Sequence, residues 1–351
     1  MFVGRERELD LLARLQNKSV ASFVAVTGRR RIGKSRLLQE YAKGFERSFF
    51  FQGLPPTDGV TSGDQIAEFA RLLRRYFEWP RLEARSWGEL FALVADQTRE
   101  GSVLIVLDEV SWMAQGDKLF LPQLKNAWDL EFKANPRLVL AVCGSVSSWI
   151  QRNLLSSTGF VGRVSETLHL EELPLDAAAK FWGAYSERVS AYEKIKFLNV
   201  VGGVPRYLEE LQPSEPTEQN ILRLCFGKSG FLFHEFARLF SDLFAKRFEE
   251  YATIVEALAS GSQTQQSIVA SLDRAQGGTL SSRLQELQDL GFVRRDHIWD
   301  LSSRKEGKLS KYRVSDNYAR FFLKYIRPHR RRIEAGTFPD TGLQFIPGWE
   351  T

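Results

Sequence analysis

Eight consecutive residues, Gly28-Arg29-Arg30-Arg31-Ile32-Gly33-Lys34-Ser35, have the types and spacing of a phosphate-binding loop. Glycines let such a loop fold back so that successive backbone N–H groups point inward. A helix starting directly after it adds the positive end of its dipole. Lys34 then reaches the β- and γ-phosphates of a nucleotide, and the Ser35 hydroxyl holds Mg²⁺. Further along, the apolar run Leu104–Leu107 ends in two carboxylates, Asp108 and Glu109. Asp108 suits Mg²⁺, and Glu109 suits the polarising of an attacking water. A second carboxylate directly after the first argues for hydrolysis rather than nucleotide sensing. The residues therefore imply an Mg-ATP site, with Arg36 completing the loop's contact set.

These groups must be set at one edge of a sheet. Short apolar, β-branched runs alternate with helical stretches over the first half of the chain. Strands are expected at Phe23–Val26, Phe49–Phe51, Val103–Leu107, Leu138–Val142 and Glu166–Leu170. The phosphate loop follows the first of these and precedes a helix over Ser35–Ala42. Further helices are expected at Gln65–Phe77, Ser86–Glu100 and Leu119–Ala134, the last stopped by Asn135-Pro136. Ser86 and Glu89 have the spacing of a capping box. Strands alternating with helices predict an α/β fold, a parallel sheet covered on both faces.

After Glu172 the strands disappear. Leu175–Tyr185, Tyr192–Val201 and Pro205–Leu211 read as helices, and helices resume to about Ala259. Next come a Ser/Gly turn, a helix at Thr264–Leu272, the Gly277-Gly278 turn and a helix at Thr279–Leu290. Phe292–Asp296 and Lys311–Val314 can pair as a hairpin. This is the order of a winged helix-turn-helix, with Leu280, Leu284 and Leu287 as the buried stripe of its third helix.

Charge points to the same region. The 48 basic and 43 acidic residues leave a net charge of +5, all of it after Gly261. Arg304–Arg332 alone holds 11 basic residues against Glu306 and Asp316. Such a block meets phosphate backbones. The third helix carries Arg283 beside Glu286 and Asp289, a poor reader of base edges. The surplus lies instead on the hairpin, at Arg304, Lys305, Lys308, Lys311 and Arg313, and on the helix that follows. The expectation is salt-sensitive, weakly specific binding of double-stranded DNA. Tyr318, Phe321, Phe322 and Tyr325 are spaced as a buried helix face rather than a base-stacking platform.

Other classes fall away. Cys143 and Cys225 are far apart, and the four histidines form no metal pair, so neither a disulfide scaffold nor a zinc site is expected. No apolar run approaches the roughly 20 residues of a membrane helix. The charged N-terminus is no signal peptide, and a cytoplasmic location is expected.

The ordered set Phe2-Val-Gly-Arg-Glu-Arg-Glu-Leu9, Gly28–Ser35, Leu107-Asp-Glu109, Cys143-Gly-Ser145, Gly162-Arg163 and Gly202-Gly-Val-Pro-Arg-Tyr-Leu208 resembles the AAA+ ATPases. The likeness is greatest to the archaeal-type predicted ATPases, near the origin-recognition initiators and the signal-transduction ATPases with numerous domains. It covers about residues 1–320, and only the phosphate loop is specific by itself. The resemblance implies that Val3 and Gly4 contact the adenine side and that Ser145 senses the γ-phosphate. It implies an arginine finger at Arg163, in cis or, in a homo-oligomer, in trans. It also implies that Pro205 and Arg206 bring a lid helix over the nucleotide, and that Gln52 bridges to Glu109. Many relatives continue into a nuclease-like domain; without a following carboxylate-and-lysine cluster, no nuclease activity is expected.

The domains expected are a nucleotide-binding domain at 1–172, a helical lid at 173–245, a winged helix at 246–330 and a tail at 331–351, a remnant of a further domain or a truncated end. Two functions follow. One is an ATPase, with Lys34, Glu109, Ser145 and Arg163 as catalytic groups, whose nucleotide state controls a DNA-binding winged helix. The other is a slow-turnover signalling switch with a protein-binding winged helix.

Overall fold

The computed structural model describes residues 2–55, 57, 59–144, 147–244, 247–272, 277–302, 304–338 and 342–348. The chain forms two compact units, residues 1–171 and 172–351.

The first unit is built on five parallel strands: β1 (Ser22–Gly28), β2 (Arg47–Gln52), β3 (Val103–Asp108), β4 (Leu138–Cys143) and β5 (Glu166–Leu170), in the order β2-β3-β4-β1-β5. All five lie where the apolar runs predict them, extended by a residue or two at their ends. Alternation along β1, β3 and β4 sends Phe23, Ile105 and Leu140 to one face and Val24, Val106 and Val139 to the other. On the first face they meet α3 (Ser62–Phe77), α4 (Trp87–Gln97) and α6 (Phe120–Leu130). On the second they meet α1 (Glu6–Gln16) and α2 (Lys34–Tyr41). Burial on both faces accounts for strands that are apolar throughout.

Two local expectations need correction. At α4 the Ser86 hydroxyl accepts from the Glu89 amide at 3.3 Å, but Glu89 reaches back to the Arg85 amide, so the capping box is incomplete. The full box sits at α3, where Thr61 and Asp64 exchange both bonds. The expected helix at Leu119–Ala134 breaks at Glu131 and ends in a 3₁₀ turn over Phe132–Ala134.

The second unit has one hydrophobic core running from Leu173 to Ile346. This core spans the stretches expected as lid, winged helix and tail. Phe226 from the expected lid stacks on Phe338 from the expected tail, centroids 4.3 Å apart, and Phe240 packs on Phe292. The expected helix Leu175–Tyr185 runs only to Ala179; a 3₁₀ stretch follows, broken at Gly183, whose φ is 52°. Helices at Phe248–Ala257, Gln265–Ser271 and Gly277–Asp289 are followed by the antiparallel pair β6 (Val293–Asp300) and β7 (Lys305–Val314). These strands run well beyond the expected limits, because the apolar signal fades where both faces are exposed. Gln263 bridges to Tyr312 as a short third edge. Tyr318, Phe321 and Phe322 are buried, as their spacing predicts.

Candidate nucleotide site

The phosphate loop leaves β1 at its carboxyl end, where ligands bind in open α/β sheets. Three residues of it have positive φ: Gly28 (137°), Arg31 (73°) and Gly33 (91°). Gly28 is required twice over, since a Cβ there would lie 2.6 Å from the Leu170 carbonyl. Ile32 is fully buried and pins the loop to the core, while Arg29 is buried, Arg30 and Arg31 are half-buried and Arg36 is exposed. The Arg30 guanidinium lies 5.9 Å from the Trp112 ring centre.

Lys34 folds back into this loop. Its ammonium donates to the carbonyls of Gly28 and Arg29, both at 3.0 Å, and is nearly inaccessible to water. Burial lowers its pKa from the usual lysine value, and the negative charge of Glu109 opposes that shift. A desolvated cation held by carbonyls can exchange them for phosphate oxygens.

Ser35 Oγ donates to Asp108 Oδ2 at 2.6 Å, so residues from separate elements meet at one point. The other carboxylate oxygen, Oδ1, accepts from the Glu109 amide at 2.9 Å and from the Cys143 thiol at 2.8 Å. Glu109 itself is left-handed, with φ 51°, and starts the short helix α5 (Val110–Met113). Gly53, just after β2, packs so closely on this turn that a Cβ would lie 2.8 Å from the Glu109 carbonyl. A hydroxyl beside a carboxylate oxygen is a hard-oxygen donor set that fits Mg²⁺, which usually takes one or two protein oxygens and fills the rest with water and phosphate. Among the described residues no cluster of three or more His, Cys, Asp or Glu offers a protein-only metal cage.

Residues 2–211 match the model of an ATPase domain found predominantly in Archaea. The chain belongs to this ATPase family. Over 345 residues it is 24% identical to an uncharacterized protein of Methanocaldococcus jannaschii, an alignment covering 96% of this chain and 72% of the relative. A second protein of that organism, described as an uncharacterized ATP-binding protein, is 42% identical over 41 residues, 12% of this chain and 70% of its own. The fold of this ATPase is similar to that of the Walker-type ATPase of Pyrococcus abyssi, with TM-score 0.67, 16% identity and coverage of 92% of this chain and 96% of the other. It is also similar to the ORC2 protein of Aeropyrum pernix in its ADPNP–ADP complexes, with TM-score 0.53, 15% identity and coverage of 95% and 94%.

The remaining candidate residues of the ATPase are distributed unevenly. Gly4 and Arg5 are consecutive left-handed residues, with φ 70° and 72°, and Val3 is half-buried beside them. Gln52 stands next to Asp108 in register, its side chain exposed. Ser145 lies outside the described residues.

Arg163 requires a correction. It precedes β5, and Ser165 bonds to Phe23 near the start of β1, whereas the phosphate loop follows β1's end. Seven strand residues separate the two edges, roughly 20 Å. In this structure Arg163 therefore stands about a strand's length from the phosphate loop. The guanidinium instead makes a two-pronged ion pair with Asp129, at 2.8–3.0 Å, where Lys125 and Lys133 also converge. Arg163 is the chief reason that the Asp129 carboxyl is held well below its usual range.

In the second unit Pro205 opens the short helix Pro205–Leu208, and Arg206 pairs with Glu210 at 2.6 Å while lying 4.6 Å from the Phe231 ring centre. Arg283 pairs with Glu250 and is only partly exposed. Arg304, Lys305 and Lys311 are exposed; Arg313 shares Asp296 with Arg294, at 2.6 and 3.2 Å. Lys308 lies in β7, its side chain outside the described residues.

Two residues of the quoted motifs hold the site in ways that the sequence did not assign. Arg5 is buried and donates to the carbonyls of Ile32 (3.3 Å) and Glu171 (2.6 Å), tying the N-terminal segment to the phosphate loop. Cys143 reads as one more apolar strand residue. The signal available for it is register: Leu107 pairs with Val142, so Asp108 and Cys143 are one step further along.

Proposed function

We propose that this chain hydrolyses ATP with Mg²⁺ and that its nucleotide state governs contact with double-stranded DNA through the second unit. The meeting of Ser35 with Asp108 at 2.6 Å carries the first part of the reading. Incoming phosphates replace the loop carbonyls on Lys34, and the amides of Gly33–Ser35 cradle them. Ser35 and Asp108 would hold Mg²⁺, which supplies neutralisation of the charge developing on the transferred phosphoryl oxygens. Glu109, at the same strand end, orients the attacking water. The helix–helix–helix–hairpin order supports a winged helix, and the exposed Arg304, Lys305 and Lys311 support phosphate contact through its wing.

One observation favours slow turnover by a single chain, as in the signalling-switch reading. Arg163 lies a strand's length from the phosphate loop, so an arginine finger at this position acts on a second copy, and only after leaving Asp129. Arg206 likewise becomes a sensor only by leaving Glu210. Turnover measured across protein concentrations, with and without duplex DNA, tests the proposal. Stimulation by DNA is expected. A tightly retained nucleotide with no DNA response would replace the DNA reading with the switch, and no Mg-dependent nucleotide binding would remove both.

A further inference from the structure

The carboxylate of Asp108 is held at both oxygens, and the two ends are not equivalent. Oδ2 faces the Ser35 hydroxyl, the side on which Mg²⁺ and phosphate would bind. Oδ1 faces the core and takes two bonds, one from the Glu109 amide and one from the Cys143 thiol. Cys143 ends β4, is fully buried, and sits in the apolar layer under the phosphate loop with Val26 and Ile32.

From this geometry we infer that Cys143 is a positioning residue of the ATPase site, whose S–H donates to Asp108 Oδ1 and so keeps Oδ2 turned toward Ser35. This rests on the proposed Mg-ATP reading and extends it to a residue outside the loop and carboxylate motifs. The chemistry is that of an outer partner fixing the orientation of a metal-binding carboxylate, and loss of such partners typically weakens metal binding by 10–100-fold. A thiol is a weak donor, so the effect here belongs near the lower end, about 10-fold. The site also explains why a cysteine serves between apolar neighbours. It packs as a small apolar group in the core and still offers one hydrogen.

Three variants separate positioning from packing: Cys143→Ser keeps a donor, Cys143→Val keeps an apolar side chain of at least the same bulk without one, and Cys143→Ala removes both. Binding of a fluorescent ATP analogue is titrated with Mg²⁺ and, separately, measured in EDTA; thermal unfolding of each protein is recorded alongside. The expected result is about a 10-fold rise in the Mg²⁺ concentration needed for half-maximal binding in Cys143→Val and Cys143→Ala. Cys143→Ser should stay within about twofold of the parent, and binding in EDTA should be equal throughout. Unchanged Mg²⁺ dependence in folded Cys143→Val overturns the inference, as does a Cys143→Ser protein no better than Cys143→Val. Failure of the parent protein itself to show Mg-dependent binding would instead bring down the nucleotide reading and the inference with it.

Discussion

The phosphate edge of the first unit and the β6–β7 hairpin of the second both gather charge, and they treat it in opposite ways. At the phosphate edge Lys34 and Asp108 are buried and already engaged, Lys34 by loop carbonyls and Asp108 by Ser35, Glu109 and Cys143. On the hairpin Arg304, Lys305 and Lys311 stand in solvent, and the one shared acid, Asp296, occupies only Arg294 and Arg313. A buried charge costs free energy unless partnered, so each partner at the edge is specific and its loss is felt strongly. Exposed charges are screened and interchangeable, so they act as a sum. On the proposed reading the first region holds one ligand in one geometry, and the second meets an extended polyanion.

The most damaging test of this contrast is Lys34→Ala. Removing this buried ammonium should abolish ATP binding, read by a fluorescent analogue; retained affinity would mean that the edge is not a phosphate site. Next comes Glu109→Gln, which keeps the shape of the turn. It should leave binding intact and slow hydrolysis by about 100-fold or more, measured by phosphate release.

A backbone test of similar severity lies in the second unit. Gly203 passes so close to Leu173 that a Cβ would lie 2.1 Å from its carbonyl oxygen, and the two residues are already joined by a 2.8 Å bond. Gly203→Ala should cost about 3 kcal/mol in denaturant unfolding, because neither backbone can yield. An unchanged midpoint would show this junction to be loose.

On the hairpin a smaller and additive change is expected. Replacing Lys305 and Lys311 together by Ala should weaken duplex DNA binding equally for all sequences and reduce the salt slope by about 2. Loss of binding to one sequence only would make the hairpin a specific reader and break the contrast. The smallest effect concerns Asp129. Its carboxyl is held low chiefly by the Arg163 pair, so its contribution to stability is present above the unfolded carboxylate range and fades as pH falls below about 4. Asp129→Asn should lower Tm by about 2 °C at pH 7 and by less at pH 3.

Much of this protein can be read from residue types along the chain. Phosphate loop, carboxylate pair and five strands are local patterns: apolar runs buried on two faces, and glycines where the backbone must turn left-handed. Their positions in sequence therefore carry over to the fold almost unchanged. Helix ends did less well, as at Glu131 and Gly183, where local pattern continues but the chain must bend to meet its neighbours.

What the tertiary structure alone decided is which side chains face each other. Arg163 and Arg283 look like free cations in sequence, yet Asp129 and Glu250 claim them from other helices. The expected lid, winged helix and tail look separable, yet Phe226, Phe240, Phe292 and Phe338 join them in one core. Cys143 looks like filling, yet strand register sets its thiol on Asp108. The physical reason is the same each time. Composition and periodicity report what a residue must do with water, while pairing depends on strand order and helix packing, which bring together residues far apart in the chain.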